Sequence, residues 1–417
     1  MNDATSTPAA RAPRLPALWL VLLAAAGTFA LTMGVRQTMG LYLPSLNTAT
    51  YLGLGSISLA FAFGQLWWGL TQPFAGALAD RVGTARTVLL GVVLVAIGTF
   101  ITPYMTSTLG LILAVGVLAA GGAGMAGPSV MMGATMRLVP PARRGLATGV
   151  VNAGGSFGQF ALAPVAIGLT AALGWAASMQ WLGVLVLLAL PAAWVLRGNS
   201  RAMVAQQAAA GGPRALTVRE AIGQALVTPS YRYLAAGFFV CGFHVAFLAT
   251  HLPSVVAACG LPPAVGGWAL AVIGLFNIVG SLAMGWAVGR WRMKSLLSLV
   301  YATRAVAVLA FLLAPKTVAV MLVFAAVMGV SFLSTVPPTA GLVAKMFGPA
   351  NMAMLFGLVM LSHQIGGFLG AWMGGWVFER TGTYDLMWWI DIALAAGAAL
   401  VNLPIREAPP ARALAPA

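Results

Sequence analysis

Long, nearly unbroken apolar stretches divided by short polar interruptions make up this chain, and that alternation predicts its elements. A helix needs about 20 apolar residues to cross roughly 30 Å of hydrocarbon. Twelve stretches qualify, near 17–46, 53–79, 85–103, 108–136, 145–171, 176–196, 233–257, 264–288, 295–314, 318–344, 352–378 and 385–404. A bilayer core holds no water to satisfy backbone groups, so such stretches close their hydrogen bonds internally as helices. The pattern therefore predicts an all-α membrane protein. The longest interruption, 197–232, contains Gln206-Gln207-Ala208-Ala209-Ala210-Gly211-Gly212-Pro213 and reads as a flexible linker. It separates an N-terminal six-helix half, 17–196, from a C-terminal one, 233–404, with polar tails at 1–16 and 405–417.

The two halves repeat one another. Leu41-Tyr42-Leu43-Pro44-Ser45 aligns with Thr250-His251-Leu252-Pro253-Ser254, Gly76 with Gly285, Arg137 with Lys345, and Gly149 with Gly357. A duplicated unit predicts two pseudo-symmetric six-helix halves. Gly154 with Gly158, and Gly366 with Gly370, fall one turn apart, and small residues at that spacing predict close helix approach.

Composition agrees: 60% of the 417 residues are hydrophobic and 7% charged, far from the roughly 25% charged of a soluble domain. The net charge of +15 would suggest nucleic acid in a soluble chain. Here the Lys and Arg concentrate in the tails and in the loops at 80–86, 137–144, 197–232, 289–294 and 345–351, whereas the loops of the opposite side hold only Lys316 and Arg380. That asymmetry predicts both termini on the cytoplasmic side of a bacterial-type plasma (inner) membrane, with lipid and not nucleic acid as the surrounding partner. The run from Ala17 continues past Ala24-Ala25-Ala26, so it is expected to stay as a first helix rather than be cleaved as a signal. Cys241 and Cys259 are too far apart along one helix to pair. Gly122-Ala123-Gly124-Met125-Ala126-Gly127 spells a dinucleotide motif inside an apolar helix with no strand before it, so no cofactor is expected. The histidines lack carboxylate or cysteine neighbours at ligand spacing, so no metal is expected either.

Between the second and third stretches lies Gly76-Ala77-Leu78-Ala79-Asp80-Arg81-Val82-Gly83-Thr84-Ala85-Arg86. It resembles the signature loop of the major facilitator superfamily, G-x-L-A-D-R-x-G-x-x-R, at the position where that family carries it. The resemblance implies twelve helices in two six-helix halves, a substrate near mid-membrane between them, and a conformational clasp at Gly76, Asp80, Arg81, Gly83 and Arg86. The second copy, Gly285 to Lys294, has Gly289 where the first has Asp80.

Polar groups inside apolar helices are functional candidates, because lipid penalises them unless they face a cavity or a partner. They are Arg36, His244, His251, Arg304, His363 and Asp391, with Gln65, Asn152, Gln159, Asn277 and Gln364. Packing is the alternative for each histidine, and interhelix hydrogen bonding for Asn277 and Gln159. The resemblance puts Arg304 and Asp391 on outer helices of one half, where they are expected to form a structural ion pair. Arg36, on a cavity-lining helix, is then the intramembrane charge left for a substrate anion. A guanidinium offers two parallel donors to a carboxylate. Gly34-Val35-Arg36-Gln37-Thr38-Met39-Gly40-Leu41-Tyr42 is similar to the first helix of the monocarboxylate-transporter branch, although the eighth helix offers only Asn277 where that branch carries an Asp and Arg pair. The expected substrate site comprises Arg36, Gln37, Tyr42, Gln159, His244, Asn277, His363 and Gln364. Imidazole ordinarily titrates near neutral pH, so His244 and His363 are the proton-coupling candidates.

The reading is a monomeric secondary transporter that moves a small organic anion by alternating access, coupled to protons, with no covalent chemistry. The alternatives are efflux of an amphipathic compound and, in a different class, a membrane receptor or embedded enzyme.

Overall fold

The computed structural model describes residues 15–138, 144–197, 218–347 and 352–407, and among these every regular element is helical. Twelve long helices follow in order: α1 Leu18–Thr50, α2 Leu54–Val82, α3 Thr84–Tyr104, α4 Thr108–Thr135, α5 Arg144–Leu173, α6 Trp175–Val195, α7 Pro229–Ala258, α8 Pro263–Val288, α9 Met293–Leu313, α10 Val318–Phe347, α11 Met352–Thr381 and α12 Asp385–Asn402. Eleven are both long and apolar enough to cross a membrane. The other is α2, whose 29 residues suffice in length but whose Ser56, Ser58, Gln65, Thr71 and Gln72 dilute its hydropathy. Its packing explains the polarity, since α2 lies against α11 of the opposite half.

The linker expected over 197–232 is partly helical. Val218–Val227 forms a short helix, and α7 starts at Pro229 after an extended Thr228. Proline suits that first turn because its missing N–H would have had no helical partner. The stretch 206–213 and most of both polar tails lie outside the described residues.

Packing repeats from one half to the other. α1 crosses α5 as α7 crosses α11, α2 packs on α4 as α8 on α10, and α3 packs on α6 as α9 on α12. The halves meet along α2–α11 and α5–α8, which the same repeat relates. The buried apolar side chains form two principal cores, one drawn from α1–α6 and the other from α7–α12 with Ala163 added from across the interface. At the crossings, Gly154 and Gly158 of α5 face the backbone of Ala26 and Ala30, and Gly366 and Gly370 of α11 face that of Phe239 and Phe243. A Cβ at any of these four would collide with a carbonyl, and backbone cannot yield as a side chain would.

Two helices break at corresponding places. α4 has a π-helical stretch over Ile112–Ala119 and an interruption at Ala126 and Gly127 before Pro128. α10 is interrupted between Ser331 and Val336, just ahead of Pro337 and Pro338. Backbone groups freed at such breaks need other partners. In α10 the Arg304 guanidinium donates to the carbonyls of Ser331 and of Phe332, the latter at 2.8 Å, and Leu333 N–H donates to Asn277 Oδ1 at 3.1 Å. Elsewhere Lys316 Nζ donates to three carbonyls at the end of α9, of Phe311, Leu312 and Ala314. Arg197, Arg290 and Arg380 each lie over a tryptophan, at 3.8, 3.9 and 4.3 Å from the ring centre. All three sit at helix ends, where an amphipathic ring and a cation suit the membrane–water boundary.

The crossings give a direct test of packing. Gly158→Val should lower stability by about 1–3 kcal/mol, as overpacking does, while Gly168→Ala on the same helix, where a Cβ would meet nothing, should change it little. Thermal unfolding of the two purified variants, followed by size-exclusion fluorescence, checks the difference.

Candidate functional site

A small cavity of about 60 Å³ opens beside Arg36, room for roughly four waters or a compact ligand. Its walls come from α1 (Val35, Arg36, Gln37, Met39, Gly40), α2 (Phe61, Gly64, Gln65), α3, α4, and, from the other half, Ala246, Ala249 and Thr250 of α7. Gly40 is what lets α1 approach so closely, since a Cβ there would stand 2.7 Å from the Thr250 carbonyl oxygen. Thr99 of α3 also lines the cavity, and its buried hydroxyl has no hydrogen-bond partner.

Among the described residues, Arg36 is partnered only by neutral groups. Its guanidinium donates to Gln65 Oε1, to Gln37 Oε1 at 3.4 Å and to Met33 Sδ at 3.8 Å, and it lies 4.4 Å from the centre of the Trp68 ring. Dipoles and an aromatic face surround the charge without neutralising it. Gln65 extends the arrangement across the interface, its Nε2 donating to Gln364 Oε1 of α11 at 3.2 Å.

The other expected substrate residues are distributed more widely. Gln37 lines the cavity, and Gln364 reaches Arg36 through Gln65. Tyr42 does not line the cavity; its hydroxyl is buried against Ser178 Oγ at 2.7 Å, holding α1 to α6. Gln159 donates to the Leu270 carbonyl of α8 at 3.2 Å. Asn277 donates to Ser156 Oγ of α5 at 2.9 Å while its oxygen accepts from Leu333 N–H and from Ser281 Oγ. Both amides are occupied in joining helices, the alternative that the sequence left open.

His244 and His363 are buried within the C-terminal half and away from the cavity lining. His244 Nε2 donates to the Asp391 carbonyl at 3.2 Å and lies 3.1 Å from its carboxylate Oδ1. The expected Arg304–Asp391 pair is therefore not formed: Arg304 is taken by the α10 break and by Cys241 Sγ at 3.7 Å, and Asp391 by His244. The broken helix supplies the stronger claim on Arg304, since two free carbonyls can align with its donors. His363 packs on Phe238 with ring centres 5.0 Å apart, and its Nδ1 is unpartnered. His251, its Nε2 donating to the Ala371 carbonyl at 2.6 Å and Nδ1 facing the Tyr384 hydroxyl, is a packed residue.

In the signature loop, the side chains of Asp80 and Arg81 lie outside the described residues. Gly83 joins α2 to α3 at φ 99°, a conformation glycine adopts freely, and Arg86 is exposed on the first turn of α3. At the far end of α2 the sequence had not drawn attention to Glu379 of α11. Its carboxylate accepts from Gly55 N–H at 3.0 Å and packs on Gly53, so an acid from one half meets the positive end of a helix from the other. Thr99, Gln65 and Glu379 are the site residues sequence reasoning did not assign. Of these, only Gln65 carried a signal, as an amide in an apolar run.

Among the described residues, the side-chain hydrogen bonds between the halves are Gly55–Glu379, Gln65–Gln364, Ser156–Asn277 and Gln159–Leu270. None lies beyond Gln364 and Asn277 toward the basic loops. There a Cβ on Gly76, Gly149, Gly285 or Gly357 would meet nothing. The halves are thus fastened at mid-depth and at the end opposite the basic loops.

Comparison with known proteins completes the picture. The Major Facilitator Superfamily profile matches residues 18–318 and 234–417. Monocarboxylate transporter 13 of Rattus norvegicus is 25% identical over 397 residues, covering 93% of this chain and 89% of the relative. Monocarboxylate transporter 11 of Mus musculus is 27% identical over 389 residues, covering 88% and 82%. The crystal structure of a D-xylose-proton symporter superposes with a TM-score of 0.70 at 15% identity, covering 93% of this chain and 97% of that one. Family profile, helix pairing and membrane-spanning composition agree, and this integral membrane chain belongs to the major facilitator superfamily of transporters.

Proposed function

We propose that the transported solute is a small organic anion, a monocarboxylate or a close analogue, carried by alternating access with Arg36 as its anchor. The observation that carries this reading is a half-buried guanidinium whose partners among the described residues are all neutral, beside a cavity walled by both halves. A guanidinium cannot shed its proton in protein, so an incoming carboxylate meets an uncompensated charge with two donors in a plane. Apolar walls at Val35, Met39, Phe61 and Val115 suit a short hydrocarbon tail. The relatives named as monocarboxylate transporters support the same solute class. With the basic loops taken as cytoplasmic, the fastening at the opposite end corresponds to an inward-facing state of a plasma-membrane transporter.

Arg36→Ala should abolish binding of pyruvate and lactate to the purified transporter while leaving a monodisperse protein. Arg36→Lys keeps the charge without the planar fork and should weaken binding about tenfold or more. Calorimetric titration decides, and wild-type affinity in Arg36→Ala would sink the proposal.

Proton coupling is assigned to the buried groups of the C-terminal half, His244 with its neighbour Asp391 and, beside Phe238, His363. His244 Nε2 lies 3.1 Å from Asp391 Oδ1, and among the described residues His244 Nδ1, His363 Nδ1 and Asp391 Oδ2 have no hydrogen-bond partner. The double variant His244→Gln/His363→Gln should lose accumulation driven by a pH gradient in proteoliposomes yet retain solute counterflow, which needs no net proton movement. Full gradient-driven accumulation in the double variant would move the coupling elsewhere.

A further inference from the structure

We propose that Gln65 holds the solute's place on Arg36 in the empty transporter, and that its displacement by a carboxylate is the event that loosens α2 from α11. This rests on the assignment of Arg36 as the anion anchor. Three observations converge on Gln65. Its Oε1 accepts from Arg36, where a carboxylate oxygen would bind; its Nε2 donates to Gln364 Oε1 of the opposite half at 3.2 Å; and it lines the cavity. One planar amide therefore spends both ends, one on the substrate anchor and the other on the interface.

The surroundings keep that amide where it is. A Cβ on Gly367 of α11 would stand 2.8 Å from Gln65 Cγ, and one on Gly69 of α2 would overlap Gln364 Cγ, so each glutamine fits into a gap left by a glycine of the opposing helix. Gln364 Nε2 is buried without a partner, so Gln364 is held by one hydrogen bond where its amide could make more. A tie satisfied on one side only is readily remade when its donor turns.

An amide oxygen carries a partial charge and a carboxylate a full one, so the carboxylate forms the stronger bond to a guanidinium and wins the contest at equal geometry. Once Oε1 loses its donor, the amide is left with the single bond to Gln364, and a carboxylate seated in its place on Arg36 turns it out of that alignment. The solute thereby acts on a bond that it never touches. Differential interaction of this kind is what a ligand requires to shift a conformational equilibrium. The Gly55–Glu379 contact at the end of α2 includes neither Arg36 nor Gln65, so anion binding loosens the middle of the interface and leaves that end fastened.

The test uses the full-length transporter in nanodiscs, with acetate, pyruvate and lactate as probes. Binding is measured by calorimetry, and the α2–α11 separation by spin labels on cysteines placed at Gly76 and Gly357. In this otherwise wild-type protein a bound probe should shift the label distance. Gln65→Leu removes the competitor, so its affinity should rise at least about threefold while the probe-dependent shift disappears. Gln65→Glu supplies a resident carboxylate and should bind the probes at least about tenfold more weakly. Gln364→Leu should lose the shift, because it removes the tie and leaves the anchor. Unchanged or weaker binding in Gln65→Leu, or a distance shift preserved in it, overturns the proposal. Arg36→Ala serves as the reference. If it binds as wild type, the anion anchor itself is wrong; if it fails to bind while Gln65→Leu matches wild type in both readouts, only the role of Gln65 falls.

Discussion

Arg36 cannot release its proton to suit apolar surroundings, so its charge has to be met by dipoles, by a ring face or by an anion. Neutral partners meet it here: Gln65, Gln37, Met33 and Trp68. Much of the interface follows from that choice. Gln65 must sit on α2 within reach of α1, and with Ser58 it makes up a polar side of α2 turned toward α11 instead of lipid. A carboxylate in place of Gln65 would stabilise the resting state further and leave nothing for a solute to gain. On the proposed reading, holding the guanidinium short of full compensation keeps the transporter responsive to an anion.

The duplicated halves use the same architecture for different ends. Both break a helix at corresponding positions, α4 near Ala126 and α10 between Ser331 and Val336. In α10 the freed carbonyls are capped by Arg304, a cation with buried protein partners and no place on the cavity. One arginine thus repairs a backbone, and the other lines the cavity among neutral partners. Titratable groups segregate in the same manner, with the guanidinium facing the cavity in the first half, and His244, Asp391 and His363 enclosed in the second. On the proposed reading, coupling between solute and proton would run through the contacts between the halves, α1–α7, α2–α11 and α5–α8.

The sequence by itself determined the class of fold. Span length is set by bilayer thickness and backbone satisfaction, both of which read directly from local composition, and so the helices and the repeat were legible. Glycine spacing foretold the α1–α5 and α7–α11 crossings for the same reason, since a missing side chain permits close approach whichever partner arrives. Arg36 stood out because a charge in an apolar run is costly anywhere. What tertiary structure alone decided was which polar group meets which. Arg304 and Asp391 looked complementary by sign, yet the break in α10 claimed the arginine and His244 took the acid. Tyr42, Gln159 and Asn277 turned out to tie helices together, and Glu379, unremarkable in the sequence, reached the start of α2. Pairing depends on helix rotation and on distances between segments remote in the chain, and those are fixed only when both faces of every helix have been packed.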